Sequence, residues 1–271
     1  MAVSIFFKAR KIPHSVLKNS EAVNHYDREI SLPDGTSQIY IDTPQLAEQY
    51  AKEILRFSSS SWSVWSLDAE WRPFQPAGKG KVALLQFCRD KVVLLFHICS
   101  CQLTPSLLQV LKCPNIFKVG VNINGDVLKL ERDYPELLGH NSIQGCCDVR
   151  EICRLLNLRD APCSLAALTT RYIKLTLPKP DNIRKGNWER VPLSRSQADY
   201  AALDSYATYR VFEAVIMESC MPEGGNEGEN TPYLELSPND RLTRTHRILT
   251  ACELNYIRNK KLEKKTENFV P

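Results

Sequence analysis

No run of apolar residues in this 271-residue sequence approaches the ~18 that a membrane-spanning helix needs; the longest, at 82–85 and 92–96, fall far short. No Cys-x-x-Cys pair occurs among the ten cysteines, so a paired-ligand zinc module is excluded. Cys99 and Cys101 are one residue apart, Cys146 and Cys147 are adjacent, and most of the others, such as Cys88 and Cys153, sit among apolar neighbours. They read as buried reduced thiols serving as small hydrophobes, which fits an intracellular compartment. No secretory signal and no internal repeat is recognisable. Charge of one sign is also lacking: 35 Lys and Arg against 31 Asp and Glu leave a net +4, a mild lean towards polyanionic partners. What is present is an ordinary globular composition, 43% hydrophobic and 24% charged, which rules out collagen-like, mucin-like and wholly disordered chains. The length suits one or two domains.

Residues 1–35 show no sustained period and read as an N-terminal extension closed by the turn Pro33-Asp34-Gly35. The first twenty residues lack Asp and Glu and carry Lys8, Arg10, Lys11 and Lys18, as an organellar presequence would, while Pro13 and poor helical periodicity speak against one. Strand patterns follow at 39–41, 64–67, 82–88, 91–97 and 116–123. Thr43 before Pro44 is a helix start, continued by the stripe Leu46, Tyr50, Ile54. Further helical patterns lie at 126–134, 148–156, 164–172 and 196–218. Strands first, with helices interleaved and then dominant, predict an α/β or α+β domain over 36–218. Residues 219–271 read as a Gly- and Glu-rich linker followed by a basic tail concentrated over 241–265. Such a tail is a solvated segment, a nuclear-import signal or a nucleic-acid contact.

Three carboxylate clusters carry the chemistry. Asp68 and Glu70 stand two apart at the end of an apolar strand, so both emerge on one face. Asp126 falls where a buried strand gives way to a helix. Tyr200 and Asp204, four apart, share one helix face. Singly, each reads as well as a solvated carboxylate or a helix cap; a chance Asp-x-Glu is expected about once in such a chain. Together, each at an element end beside apolar segments, they invite burial that only counter-charge makes tolerable. An all-oxygen donor set suits Mg²⁺ or Mn²⁺.

These motifs resemble the DEDD-type 3′→5′ exonucleases, tyrosine subclass, and among them the Werner-syndrome-type exonuclease domain. The first family motif is matched by Leu67-Asp68-Ala69-Glu70-Trp71-Arg72-Pro73 and onward to Phe87, the second by Lys118-Val119-Gly120-Val121 through Gly125-Asp126, Lys129 and Leu130. The third is matched around Tyr200, Ala201, Ala202 and Asp204, and Ser164-Leu165-Ala166-Ala167-Leu168 and Leu177-Pro178-Lys179 resemble the middle segment. Lys185-Gly186-Asn187-Trp188 departs from a more usual Ser-containing run. The resemblance covers roughly residues 39–215 and implies an RNase H-like fold: a mixed five-stranded sheet with helices on both faces. It implies metal-dependent hydrolysis from a nucleic acid 3′ end, DNA rather than RNA, with an RNase D-like exoribonuclease or a non-catalytic binding module as alternatives. It further implies two divalent cations held by Asp68, Glu70, Asp126 and Asp204, with Tyr200 orienting the attacking water. Without an ATP-binding Gly-x-x-x-x-Gly-Lys-Ser/Thr loop the chain is not expected to unwind duplexes by itself. A nuclear location is expected, with a mitochondrial one as the alternative, and no membrane partner.

Substrate contacts are expected from Lys79 and Lys81 in a Gly-containing loop, from Arg184, and from Trp71 and Trp188 by stacking on bases. Each has a plainer alternative: a solvated turn for the lysines, a place in the core for the tryptophans.

Overall fold

The computed structural model describes residues 32–58, 61–73, 80–158, 160–218 and 237–267. The expected N-terminal extension up to residue 31, the Gly- and Glu-rich linker and Lys79 lie outside the described residues. A short 3₁₀ turn at Pro33–Gly35 leads into β1 (Ser37–Ile41). α1 (Pro44–Phe57) starts as the sequence predicts: the Thr43 hydroxyl accepts from the Leu46 N–H, and Pro44 occupies the position whose N–H has no helical partner. Its Tyr50 and Ile54 are buried.

β2 (Ser63–Trp71), β3 (Val82–Arg89) and β4 (Val92–His97) form an antiparallel meander, followed by two short helices, α2 (Ile98–Cys101) and α3 (Pro105–Lys112). β5 (Ile116–Gly120) and α4 (Ile123–Asp133) come next, then β6 (Cys146–Asp148) and α5 (Val149–Leu155). α6 (Leu165–Ile173), α7 (Asp181–Arg184), α8 (Arg195–Glu218) and α9 (Pro238–Glu267) complete the order. The sheet runs β1-β4-β3-β2-β5-β6, parallel except where β3 opposes β2 and β4. The sheet has six strands rather than the five expected. The addition is β6, whose three residues are too short to display any alternation.

Alternation along β2 divides the core. Trp65, Leu67 and Ala69 face one hydrophobic layer, which also holds Tyr50, Leu107 and Val127 from α1, α3 and α4. Val64 faces a second layer built from α5, α6 and α8, while Leu84, Val93 and Leu95 join a third cluster with α8 and Trp188. The even-numbered residues of β2, including Ser66, Asp68 and Glu70, therefore point to the α8 side. The basic tail is also corrected: within it α9 lies against β6 and α5. Its Leu249 and Cys252 are buried beside Cys147 and Val149, its Tyr256 reaches the first layer, and Glu253 accepts from the Gly145 N–H at 2.5 Å. Burial of one narrow apolar stripe holds this polar helix in place. The nine described cysteines are free, most of them buried. Among the described residues no helix is long and apolar enough to cross a membrane.

Candidate metal centre

β2 runs beyond its parallel partner. Pairing with β5 reaches only Ser66, so Asp68 and Glu70 project where β2 is backed by β3 alone. They stand inside β2 rather than at its end, since the strand continues to Trp71. β5 finishes at Gly120, where a Cβ would meet the Ile123 Cβ at 2.8 Å and the Leu67 carbonyl at 2.9 Å; only glycine allows this approach to β2. The chain then turns through Asn122 in the left-handed region (φ 64°) and enters α4, whose first turn carries Asp126. Asp148 fixes this turn. Its carboxylate accepts from the Asn122 N–H (2.9 Å) and holds the Arg150 guanidinium through both oxygens (2.9 and 2.6 Å).

From the other side, α8 presents Tyr200 and Asp204 one helical turn apart. One carboxylate oxygen from each of Asp68, Glu70 and Asp204 lies within 4.8 Å of the others. Asp126 stands outside that triad, yet close enough for its charge to act on Glu70 and for that of Asp68 to act on it. The Tyr200 hydroxyl hydrogen-bonds Asp204.

Burial raises all four acids, and mutual repulsion adds to it at Asp68, Glu70 and Asp126. Burial, then Asp204, pushes Asp68 up to about 7. Burial, then Asp68, Asp204 and Asp126, pushes Glu70 well above the carboxylate range. Asp126 is pushed up to about 9 by burial and then by Asp68 and Asp148. Asp204 rises to about 6 through burial, opposed by the Tyr200 hydroxyl and by Lys179 and Arg184. Burial and Asp204 keep Tyr200 protonated. Converging buried carboxylates whose ionisation is opposed for want of positive charge are a fitting receptor for hard divalent cations.

The residues expected to touch substrate divide. Arg184 is exposed, pairs with Asp181 at 3.4 Å, and lies near enough to lower Glu70 and Asp204. Lys81 is exposed with its ammonium 5.2 Å from the Tyr134 ring centre. Trp71 is half-buried, with the Lys129 ammonium 5.2 Å from its ring centre. Trp188 is corrected outright: it is fully buried among Leu193, Ala198 and Ala201, and no ring face is left for a base. Its neighbour is Tyr200, with ring centres 6.3 Å apart. Sequence reasoning did not single out Lys179, whose charge reaches Asp204, although it belongs to the Leu177-Pro178-Lys179 segment. Nor did it find Asp148, which carries no motif signal of its own.

A family model described as 3′-5′ exonuclease matches residues 38–217. A 3′-5′ exonuclease of Arabidopsis thaliana is 37% identical over 155 residues, covering 55% of this chain and 51% of that protein. One from Drosophila ananassae is 27% identical over 202 residues, covering 73% of this chain and 53% of that protein. The matched stretch spans about half the length of these relatives. Among solved structures, the EXO domain of Aedes aegypti Nibbler aligns with TM-score 0.61 at 18% identity, over 82% of this chain and 99% of that one. Escherichia coli RNase D aligns with TM-score 0.54 at 16% identity, over 80% of this chain and 51% of that one. Identities this low speak for the fold, which is the RNase H-like α/β fold with a mixed sheet. With the acidic cluster between β2 and α8 and a family match running the length of the sheet and α8, the chain belongs to the 3′-5′ exonuclease family.

Proposed function

We propose that the protein is a metal-dependent 3′→5′ exonuclease of the tyrosine subclass, akin to the Werner-syndrome-type domain, which hydrolyses phosphodiester bonds from the 3′ end of DNA. The observation that carries this reading is the triad of carboxylate oxygens within 4.8 Å, drawn from β2 and α8, with Tyr200 bonded to Asp204. Asp68, Glu70 and Asp204 would hold one Mg²⁺ or Mn²⁺, and Asp68 with Asp126 a second; bound there, the pair would lower the pKa of water and offset the charge of the leaving oxygen. Tyr200 keeps its proton, so it orients the attacking water through its hydroxyl rather than acting as a base. Arg184 and Lys179 bring positive charge to the side from which an anionic phosphate must approach.

All four carboxylates and the tyrosine are present, which favours an enzyme over a binding module that has kept only the fold. The preference for DNA rests on the motif resemblance. The RNase D used for comparison is an exoribonuclease, but at 16% identity it carries no substrate argument. The nucleus is the proposed location, supported by the Lys- and Arg-rich run at 258–265, with the mitochondrion the alternative.

The test uses 5′-labelled DNA and RNA oligonucleotides with Mg²⁺, Mn²⁺ or EDTA. A metal-dependent ladder of shortening products supports the reading, and its strength on each polymer decides the substrate. Internal cuts, no products, or full activity in Asp68→Ala or Asp126→Ala would overturn it.

A further inference from the structure

A chain of hydrogen bonds leads from the far edge of the sheet to Trp188 and Arg184, and Trp188 is the ring neighbour of Tyr200. The Leu193 N–H donates to the Tyr40 hydroxyl at 3.2 Å, and Tyr40 Oη lies 2.6 Å from His97 Nδ1. On the opposite side of the ring, Nε2 of His97 lies 3.0 Å from the Trp188 carbonyl. A carbonyl only accepts, so Nε2 carries the hydrogen; burial keeps the imidazole neutral. Nδ1 is then an acceptor, and the Tyr40 hydroxyl donates to it while accepting from Leu193. Every group in the relay has a consistent role. Trp188 continues it by donating its indole N–H to the Arg184 carbonyl at 3.1 Å.

Residues 184–193 are thus pinned from β1 and β4 at two points, the Trp188 carbonyl and the Leu193 amide. Gln197 pins them a third time from α8, donating to the Asn187 carbonyl at 3.1 Å. The pinned segment matters because of what it holds. Its first residue is Arg184, whose charge reaches Glu70 and Asp204, and its buried Trp188 backs the Tyr200 ring. His97 is fully buried, and neither it nor Tyr40 belongs to the acidic cluster.

We infer that Tyr40 and His97 are positioning residues of this site, fastening residues 184–193 so that Arg184 and Tyr200 are held beside the carboxylates. The inference rests on the exonuclease reading for its catalytic consequence and on the hydrogen bonds for its mechanical one. Ring orientation is fixed at both nitrogens, so a side chain that fills the space without both bonds cannot replace the histidine. Small displacements of positioning groups cost rate steeply.

The experiment compares the full chain with Tyr40→Phe, His97→Phe and His97→Gln; the glutamine keeps one donor and one acceptor. Two readouts are taken: kcat and KM on a 5′-labelled oligonucleotide, and amide hydrogen exchange over 184–193. Expected for both Phe variants is a fall in kcat of about tenfold or more, with faster exchange confined to 184–193, and partial recovery of both in His97→Gln. Unchanged kcat together with unchanged exchange overturns the inference. So does a loss of kcat accompanied by faster exchange throughout the molecule, which would mark a purely structural role. A wild-type chain that leaves every oligonucleotide intact overturns the exonuclease reading instead, and exchange over 184–193 then decides the positioning by itself.

Discussion

Ser66 and Ser205 meet hydroxyl to hydroxyl at 2.8 Å in the buried interior, 139 residues apart in the chain. Ser66 also donates to the Ser205 carbonyl (2.9 Å) and accepts from the Cys88 N–H (3.0 Å). Two residues beyond Ser66 is Asp68, and one before Ser205 is Asp204, so this contact sets the register of β2 against α8 at the point where the carboxylates converge. Ser66→Ala strips a buried N–H and a buried hydroxyl of their partner and is expected to cost about 2 kcal/mol. Ser205→Ala leaves Ser66 with two of its three bonds and should cost about 1 kcal/mol. Urea unfolding of both variants checks the order, and equal costs would contradict it.

Asp68→Asn should make the metal-free protein more stable at pH 8, by on the order of 2 kcal/mol, because it removes a buried carboxyl that resists ionisation beside Asp204. The same variant should lose most of the rise in melting temperature that Mn²⁺ gives the wild type. Thermal melts with EDTA and with Mn²⁺ measure both effects. A destabilised variant with an intact metal response would speak against the site.

Glu48 reaches across from α1 to α3, accepting from the Ser106 N–H (3.1 Å) and the Ser106 hydroxyl (2.7 Å). These bonds, with Lys52 nearby, hold its carboxyl down at about 2 from the ordinary 4.5. A depressed folded pKa contributes stability that is complete above 4.5 and lost as pH falls towards 2. Glu48→Gln should therefore cost about 1 kcal/mol at pH 7, a modest figure because the pair is partly exposed. The difference should shrink between pH 4.5 and pH 3. Denaturant titrations at pH 7 and pH 3 would show a constant gap if the carboxylate were irrelevant.

Leu249→Ala in α9 is expected to cost about 3 kcal/mol, the penalty of emptying a fully buried leucine site. Leu254→Ala on the same helix, 61% exposed, should stay within about 0.5 kcal/mol of wild type. Comparable small effects from both would return residues 237–257 to the status of a solvated tail.

Much of this molecule is legible in its sequence because the decisive signals are local and periodic. Asp68 and Glu70 share a face since strands alternate, and Tyr200 and Asp204 since helices repeat in about four residues. Thr43-Pro44 announces α1. The same signal at Thr104-Pro105 announces α3, yet that helix is so short that its pattern is easily passed over. β6 offers three residues and no period. Trp188 shows the limit of residue type as a guide: an indole suits a base stack or a core equally, and only the packing of α8 against β3 and β4 decides it. α9 hides because Thr245, Leu249, Cys252 and Tyr256 form a thin buried stripe in a stretch otherwise dominated by Arg and Lys.

The placement of α9 has a practical consequence for anyone transplanting this catalytic unit. The family match stops at residue 217, but β6 is the outermost ribbon of the sheet, and α9 is what lies along it. A fragment cut at the homology boundary would bare that border and the apolar side chains, among them Cys147 and Val149, on which Leu249 and Cys252 rest, and should aggregate more readily than the whole chain. Fusions and minimal versions should therefore carry the helix along with the sheet on which it packs.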